Sequence, residues 1–210
     1  MIFSTLTFLL CLFGVANAHF RLLYPLPRGN FVADDEPKFC GGYTDVTTNR
    51  TTFPLSGGFF SIRAGHPNWT GGVLISTVAN PNSFDNFTVN GVDQLVHPYA
   101  KQADTGTFCI PLNISAAGIA GATDGANVTI QVVFDGGDGN LYQCADLTLS
   151  ANLTSPPSDV TCSNVTTTPT PTSAGTSPTG STAGALGSAH GLSAVTALVL
   201  GLVGVAAASL

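Results

Sequence analysis

Apolar residues fall into two patterns along this chain of 210 residues: an unbroken apolar run near each end, and short strand-like runs between them. Gly58-Phe-Phe-Ser-Ile-Arg63 and Gly72-Val-Leu-Ile-Ser-Thr-Val78 are rich in β-branched and aromatic residues. Asn127-Val-Thr-Ile-Gln-Val-Val-Phe134 alternates with a period of two, and Leu141 to Ser150 does so in part. Phe84 to Val89 and Thr107 to Leu112 are weaker versions of the same pattern. Gly, Pro, Asn and Asp separate them all. No stretch keeps a 3.6-residue period for the length of a helix, and Ile114 to Ala120 has room for one helical turn. Many short strands parted by turn residues predict an all-β fold, an antiparallel β-sandwich.

The end runs read as processing signals. Leu6 to Val15 is apolar and leads into Ala16-Asn17-Ala18, the small-x-small pattern cut by signal peptidase. The run is too short to cross ~30 Å of hydrocarbon, which favours a signal over an anchor. Cleavage after Ala18 makes His19 the first residue of the mature chain. At the other end Leu192 to Leu210 is apolar and uncharged. It follows the small-residue stretch Gly180-Ser-Thr-Ala-Gly-Ala-Leu-Gly, and no basic cluster comes after it. That combination reads as a GPI-attachment signal rather than a tail-anchored helix. Val165 to Gly184 is Thr, Ser, Pro, Gly and Ala, a composition that buries no core and reads as an O-glycosylated stalk. The expected organisation is a signal peptide at 1–18, a folded domain at 19–163, a stalk at 164–184 and a removed propeptide at 185–210. The product is a secreted protein held by lipid on the outer leaflet of the cell membrane, or in the cell wall.

Composition narrows the partners. Six Lys and Arg stand against twelve Asp and Glu, for a formal charge of −6, and the basic residues are scattered. Nucleic-acid binding and electrostatic lipid binding are therefore not expected. With Cys11 removed in the signal, Cys40, Cys109, Cys144 and Cys162 remain. An even count in an oxidising compartment predicts two disulfides, and spacing leaves all three pairings open. No CxxC pair supports zinc. Sequons at Asn49, Asn68, Asn86, Asn113, Asn127, Asn152 and Asn164 predict a heavily N-glycosylated surface.

The new N-terminus carries the candidate chemistry. A terminal histidine offers its α-amine and its imidazole Nδ1 to one metal, and a second imidazole completes three nitrogens. Tetragonal nitrogen and oxygen donors select Cu(II), which also tops the divalent affinity order. His66 and His97 are the other histidines that survive processing, since His190 lies in the removed tail. His66 follows the β-rich Phe59 to Arg63 and so falls at a loop end, where a ligand is expected. His97, in Val96-His97-Pro98-Tyr99, carries no such signal.

Four features together resemble the fungal LPMO-like copper-binding proteins of the copper-acquisition-factor family. They are the start His19-Phe-Arg-Leu-Leu-Tyr-Pro-Leu-Pro-Arg28-Gly29, Phe39-Cys-Gly-Gly42, Thr52-Phe-Pro-Leu-Ser-Gly-Gly58 and Asp138-Gly-Asn-Leu-Tyr-Gln-Cys-Ala-Asp146. The resemblance covers nearly the whole chain and includes both processed ends. It implies an immunoglobulin-like β-sandwich and a histidine brace holding one Cu(II) per chain. The implied metal ligands are His19, through amine and imidazole, His66, and an aspartate for which Asp138 is the best match. Asp135 and Asp146 are alternatives, and Asp-Gly is also ordinary hairpin-turn chemistry. The preferred disulfides are Cys40–Cys144 and Cys109–Cys162.

A carboxylate on the metal adds negative charge, favours Cu(II) over Cu(I) and fills a position that O₂ would need. The expected function is therefore capture of copper at the cell surface, with delivery to a membrane transporter or reductase and no oxidative polysaccharide cleavage. The alternatives are a copper-dependent lytic polysaccharide monooxygenase and a structural wall mannoprotein without metal.

Overall fold

The computed structural model describes residues 19–167. The expected signal peptide, the expected propeptide and the part of the expected stalk beyond Thr167 lie outside the described residues. Among the described residues there are eleven strands, four short 3-10 turns and no α-helix. The strands are β1 (Phe20–Tyr24), β2 (Thr51–Pro54), β3 (Gly58–Ala64), β4 (Trp69–Ser76), β5 (Thr88–Val89), β6 (Val92–Asp93), β7 (Leu95–Gln102), β8 (Thr105–Leu112), β9 (Asn127–Asp135), β10 (Asn140–Ser150) and β11 (Val165–Thr167). One sheet has the order β1-β3-β8-β11, a second has β2-β10-β9-β4-β7, and β5 pairs with β6 alone. The fold is the expected immunoglobulin-like sandwich. Every pairing is antiparallel except that of β2 with β10.

The alternation seen in the sequence decides which face packs inward. Val128, Ile130, Val132 and Phe134 of β9 and Leu141, Ala145, Leu147 and Leu149 of β10 join Phe20, Leu22, Phe60, Ile62 and Phe108 of the opposite sheet in one core. Phe20 stacks on Phe134 at 4.9 Å across the two layers. The other face of the larger sheet is also covered: Cys40, Leu74, Phe87, Val133 and Cys144 form a second cluster there. β9 is therefore buried on both faces through Phe134.

Some elements differ from expectation for readable reasons. Phe84–Phe87 is a 3-10 turn, because Ser83 and Asn86 close a capping box ahead of the two-residue β5. β7 has no clear alternation and contains Pro98. It is the edge strand of its sheet, mostly solvent-facing, where a missing N–H is tolerated. β11 extends the smaller sheet to Thr167, past residue 163, because the β-branched Val165-Thr166-Thr167 pairs with β8.

The disulfides join Cys40 to Cys144 and Cys109 to Cys162, with Cα atoms 4.9 and 5.5 Å apart. A second tie holds the long connection between β1 and β2. Arg28 Nε and one terminal nitrogen donate to the two carboxylate oxygens of Asp146 at 3.1 and 2.9 Å. The paired side chains are 1% and 0% exposed. Arg28 also donates to the carbonyls of Tyr43 and Pro81, and Asp146 accepts from Thr129 and from the Thr47 amide. Asp146 is thus fully engaged as a structural carboxylate.

Two stability predictions follow from burial. Arg28→Met leaves the Asp146 charge buried without its partner, and chemical denaturation should report a loss of about 3–5 kcal/mol. Tyr24 is buried against Phe53 and Phe59, its hydroxyl has no partner, and burial pushes its pKa up to about 12. Tyr24→Phe removes an unsatisfied polar atom, so thermal melting should show a variant at least as stable as the parent.

Candidate metal centre

Strand register brings the candidate ligands to one end of the sandwich. Phe20 pairs with Ala64, so His19 lies opposite Gly65, and the Gly65 amide donates to the His19 carbonyl at 3.2 Å. The approach is close: a Cβ on Gly65 would sit 3.3 Å from that oxygen. His66 comes next, in the bend between β3 and β4. Its Nδ1 lies 2.9 Å from the Pro67 carbonyl. With the proton on Nδ1, that bond leaves the Nε2 lone pair free for a metal, the arrangement that commonly orients a histidine ligand. The β9–β10 turn is at the same end, because Thr70 at the start of β4 pairs with Asp135 at the close of β9.

His19 is held from behind. Its Nδ1 lies 2.6 Å from Glu36 Oε2, with the histidine side chain 34% exposed and the glutamate 1%. Its ring meets Phe31 edge-on at 5.9 Å, and the Arg21 guanidinium covers the same phenyl at 4.3 Å. Glu36 Oε1 accepts from Gln143 Nε2 at 2.8 Å. That Gln143 nitrogen also donates to the Phe20 carbonyl, and the Gln143 oxygen accepts from the Leu22 amide. The Gln143 side chain thereby fills the place of a neighbouring strand on the free edge of β1. Burial raises the Glu36 pKa, while the bonds from Gln143 and His19 pull it down.

Sequence reasoning missed Glu36. The only signal was the acidic run Asp34-Asp35-Glu36 just before Phe39-Cys-Gly-Gly42. Among the aspartates, Asp135 spends one oxygen on the Gly137 amide at 2.8 Å, an Asx turn. Asp138 is exposed in the same turn. Asp146 is consumed by Arg28, which rules out the weakest alternative. His97 lies on β7 opposite Val73, inside the sheet rather than in the end loops. Trp69 is buried between Phe108 and Phe134 and presents no face to a polysaccharide. Six of the sequon asparagines are exposed, while Asn86 is half-buried with its oxygen accepting from Asn82 and Ser83.

Among the described residues no three His, Cys, Asp or Glu side chains are grouped to hold a metal ion. A brace draws two of its donors from one residue, and in the unprocessed chain the His19 nitrogen is a peptide amide. The donor types at this end of the fold, two imidazoles and the Glu36 carboxylate bonded to one of them, are nitrogen and oxygen donors of the kind Cu(II) takes.

Glu36→Ala should remove the acceptor shared by His19 and Gln143. Urea denaturation should show a loss of about 1–3 kcal/mol.

The profile of the BIM1-like copper acquisition factor domain matches residues 17–167. Copper acquisition factor BIM1 of Cryptococcus neoformans var. grubii is 42% identical over 153 residues, covering 72% of this chain and 68% of that protein. The protein of the same name from Cryptococcus neoformans var. neoformans is 40% identical over the same coverage. An uncharacterized protein of Aspergillus fumigatus is 36% identical over 148 residues, covering 68% of this chain and 58% of its own.

Proposed function

Because the chain belongs to the BIM1-like copper acquisition factor family, we propose that its mature form captures one Cu(II) at the cell surface through a histidine brace. The brace consists of the α-amine and imidazole of His19 and the imidazole of His66, with Asp138 as the oxygen donor matched by resemblance and Asp135 the alternative. The observation that carries the reading is the β1–β3 register, which sets His19 opposite Gly65 and beside His66.

The residues divide the work. His66, bonded through Nδ1 to Pro67, offers Nε2. His19 offers a chelate once signal peptidase exposes its amine. If Nδ1 is the chelating nitrogen, His19 must give up its bond to Glu36, so the metal takes the place of the Nδ1 proton that the carboxylate accepts. A carboxylate beside the metal favours holding Cu(II) over cycling it, which supports capture rather than oxidative chemistry. A GPI lipid and a glycosylated stalk would keep the site outside the membrane, where a transporter or reductase could receive the ion.

The test is EPR of the natively processed protein with one equivalent of Cu(II). Coupling from three nitrogens is expected. A chain that keeps Ala18 converts the amine to an amide and should bind at least tenfold more weakly. His66→Ala should weaken binding by a similar factor or more, while His97→Ala should leave it unchanged. Asp138→Asn, Asp135→Asn and Glu36→Gln identify the oxygen donor by their spectra. A spectrum without nitrogen coupling would overturn the brace, and oxidised oligosaccharides from chitin or glucan with a reductant would overturn the capture reading.

A further inference from the structure

The face of the larger sheet turned away from the sandwich core carries an open trough. One row across that sheet runs from Gly72 on β4 through Val133 on β9 to Tyr142 on β10. Gly72 has no side chain, and the Tyr99 ring of β7 lies against it: a Cβ there would sit 2.7 Å from that ring. Tyr99 and Tyr142 therefore stand on either side of Val133. Phe84 packs on Tyr142 with ring centroids 4.6 Å apart, and Phe39 meets Phe84 edge-on at 5.3 Å. The space between the rings holds about 260 Å³, and the buried Leu74 and Val133 line it. Cavities of ~150 Å³ can accept benzene, so this one has room for a compact apolar group and a stem.

One carboxylate completes the lining. Thr88 and Asp93 are directly paired between β5 and β6, so their side chains share a face, and both residues border the trough. Burial, the Asp93 charge and the Tyr142 phenol hold the Tyr99 pKa above its usual value, so the carboxylate and the two phenols are close neighbours. Asp93 is exposed and belongs to none of the ion pairs among the described residues. Lys101 shares the outer face of β7 with Tyr99 and is exposed, and it forms no ion pair with Asp93. Phe84 and Tyr99 are left 42% and 47% exposed. Phe84 and Tyr142 are tilted by 57° to each other, so they form no flat platform for a sugar ring. Angled ring faces beside a free carboxylate attract a cation that has an apolar skin.

We propose that this trough binds a small alkylated ammonium ion, a trimethylammonium head on a short stem. The methyl groups lie against Tyr99, Phe84 and Tyr142, and Asp93 supplies the opposite charge. The site stands apart from the copper reading, because none of His19, Glu36, His66, Asp135 and Asp138 lines the trough.

The experiment titrates metal-free mature protein against choline, following the N-methyl proton resonance of the ligand and the heat released. Saturable one-to-one binding with a Kd of about 1 mM or tighter is expected, with the N-methyl signal moved upfield by the ring currents. Asp93→Asn and Tyr99→Leu should each weaken binding about fivefold or more. Both change exposed positions and should keep the parent's melting temperature, which separates a lost site from a misfolded chain. The neutral isostere 3,3-dimethylbutan-1-ol should bind about tenfold more weakly than choline. Lys101→Met removes a cation from the same face and should bind at least as tightly as the parent. Absence of a saturable shift up to about 10 mM choline, equal affinity for the alcohol, unchanged affinity in Asp93→Asn or Tyr99→Leu, weaker binding in Lys101→Met, or binding of cellotriose in place of choline would overturn the proposal. Because the titration uses metal-free protein, its outcome is independent of the copper reading.

Discussion

The buried pair of Arg28 and Asp146 fixes the part of the chain on which the candidate site depends. The connection from β1 to β2 runs from Pro25 to Arg50 with no strand of its own. A stretch that long would ordinarily be mobile. Here three positions along β10 hold it: Gln143 through Glu36, Cys144 through Cys40, and Asp146 through Arg28. Burying a guanidinium and a carboxylate is costly unless their hydrogen bonds are satisfied. The carbonyls of Tyr43 and Pro81, the Thr129 hydroxyl and the Thr47 amide meet that condition. The pair thus ties together segments distant in sequence, and the connection behaves as part of the fold.

From that anchoring follows the placement of His19. β1 is an edge strand with only β3 beside it, so its outer backbone groups need other partners. Gln143 supplies them, accepting from Leu22 and donating to Phe20. The same amide nitrogen grips Glu36, which grips the His19 ring. A single side chain therefore couples the first strand, the long connection and the N-terminal histidine. Chain ends tend to fray, and this network restrains His19, the residue that the proposed cleavage would make terminal.

Period-two alternation made β9 and much of β10 legible, because their inward residues must be apolar for the sandwich to form. It did not reveal β7, whose exposed edge position leaves no alternation to read. His19 and His66 stood out through the expected cleavage site and through strand punctuation, and β1–β3 pairing brings them to one end of the sandwich. The roles of the acidic residues were not legible. Asp135, Asp138 and Asp146 sit in one short stretch and look alike in sequence, yet Asp146 belongs to a buried ion pair and Asp135 to a turn. Partners more than a hundred residues away make that difference for Asp146, and no local spacing encodes them. Glu36 was missed for the same reason, since its partners are Gln143 and His19 rather than its neighbours in the chain.

Glu36 also changes how the acidity of the site is understood. Asp138, in the β9–β10 turn, is exposed to solvent. Glu36 is nearly excluded from water and its charge acts through a medium that screens poorly. Near a cation such a charge stabilises the more positive state, Cu(II) over Cu(I). In the proposed site the same residue therefore favours retention of the oxidised ion. In the proposed copper site such a charge would hold the metal as Cu(II) and loosen its grip when the ion is reduced, as capture and later delivery of copper require.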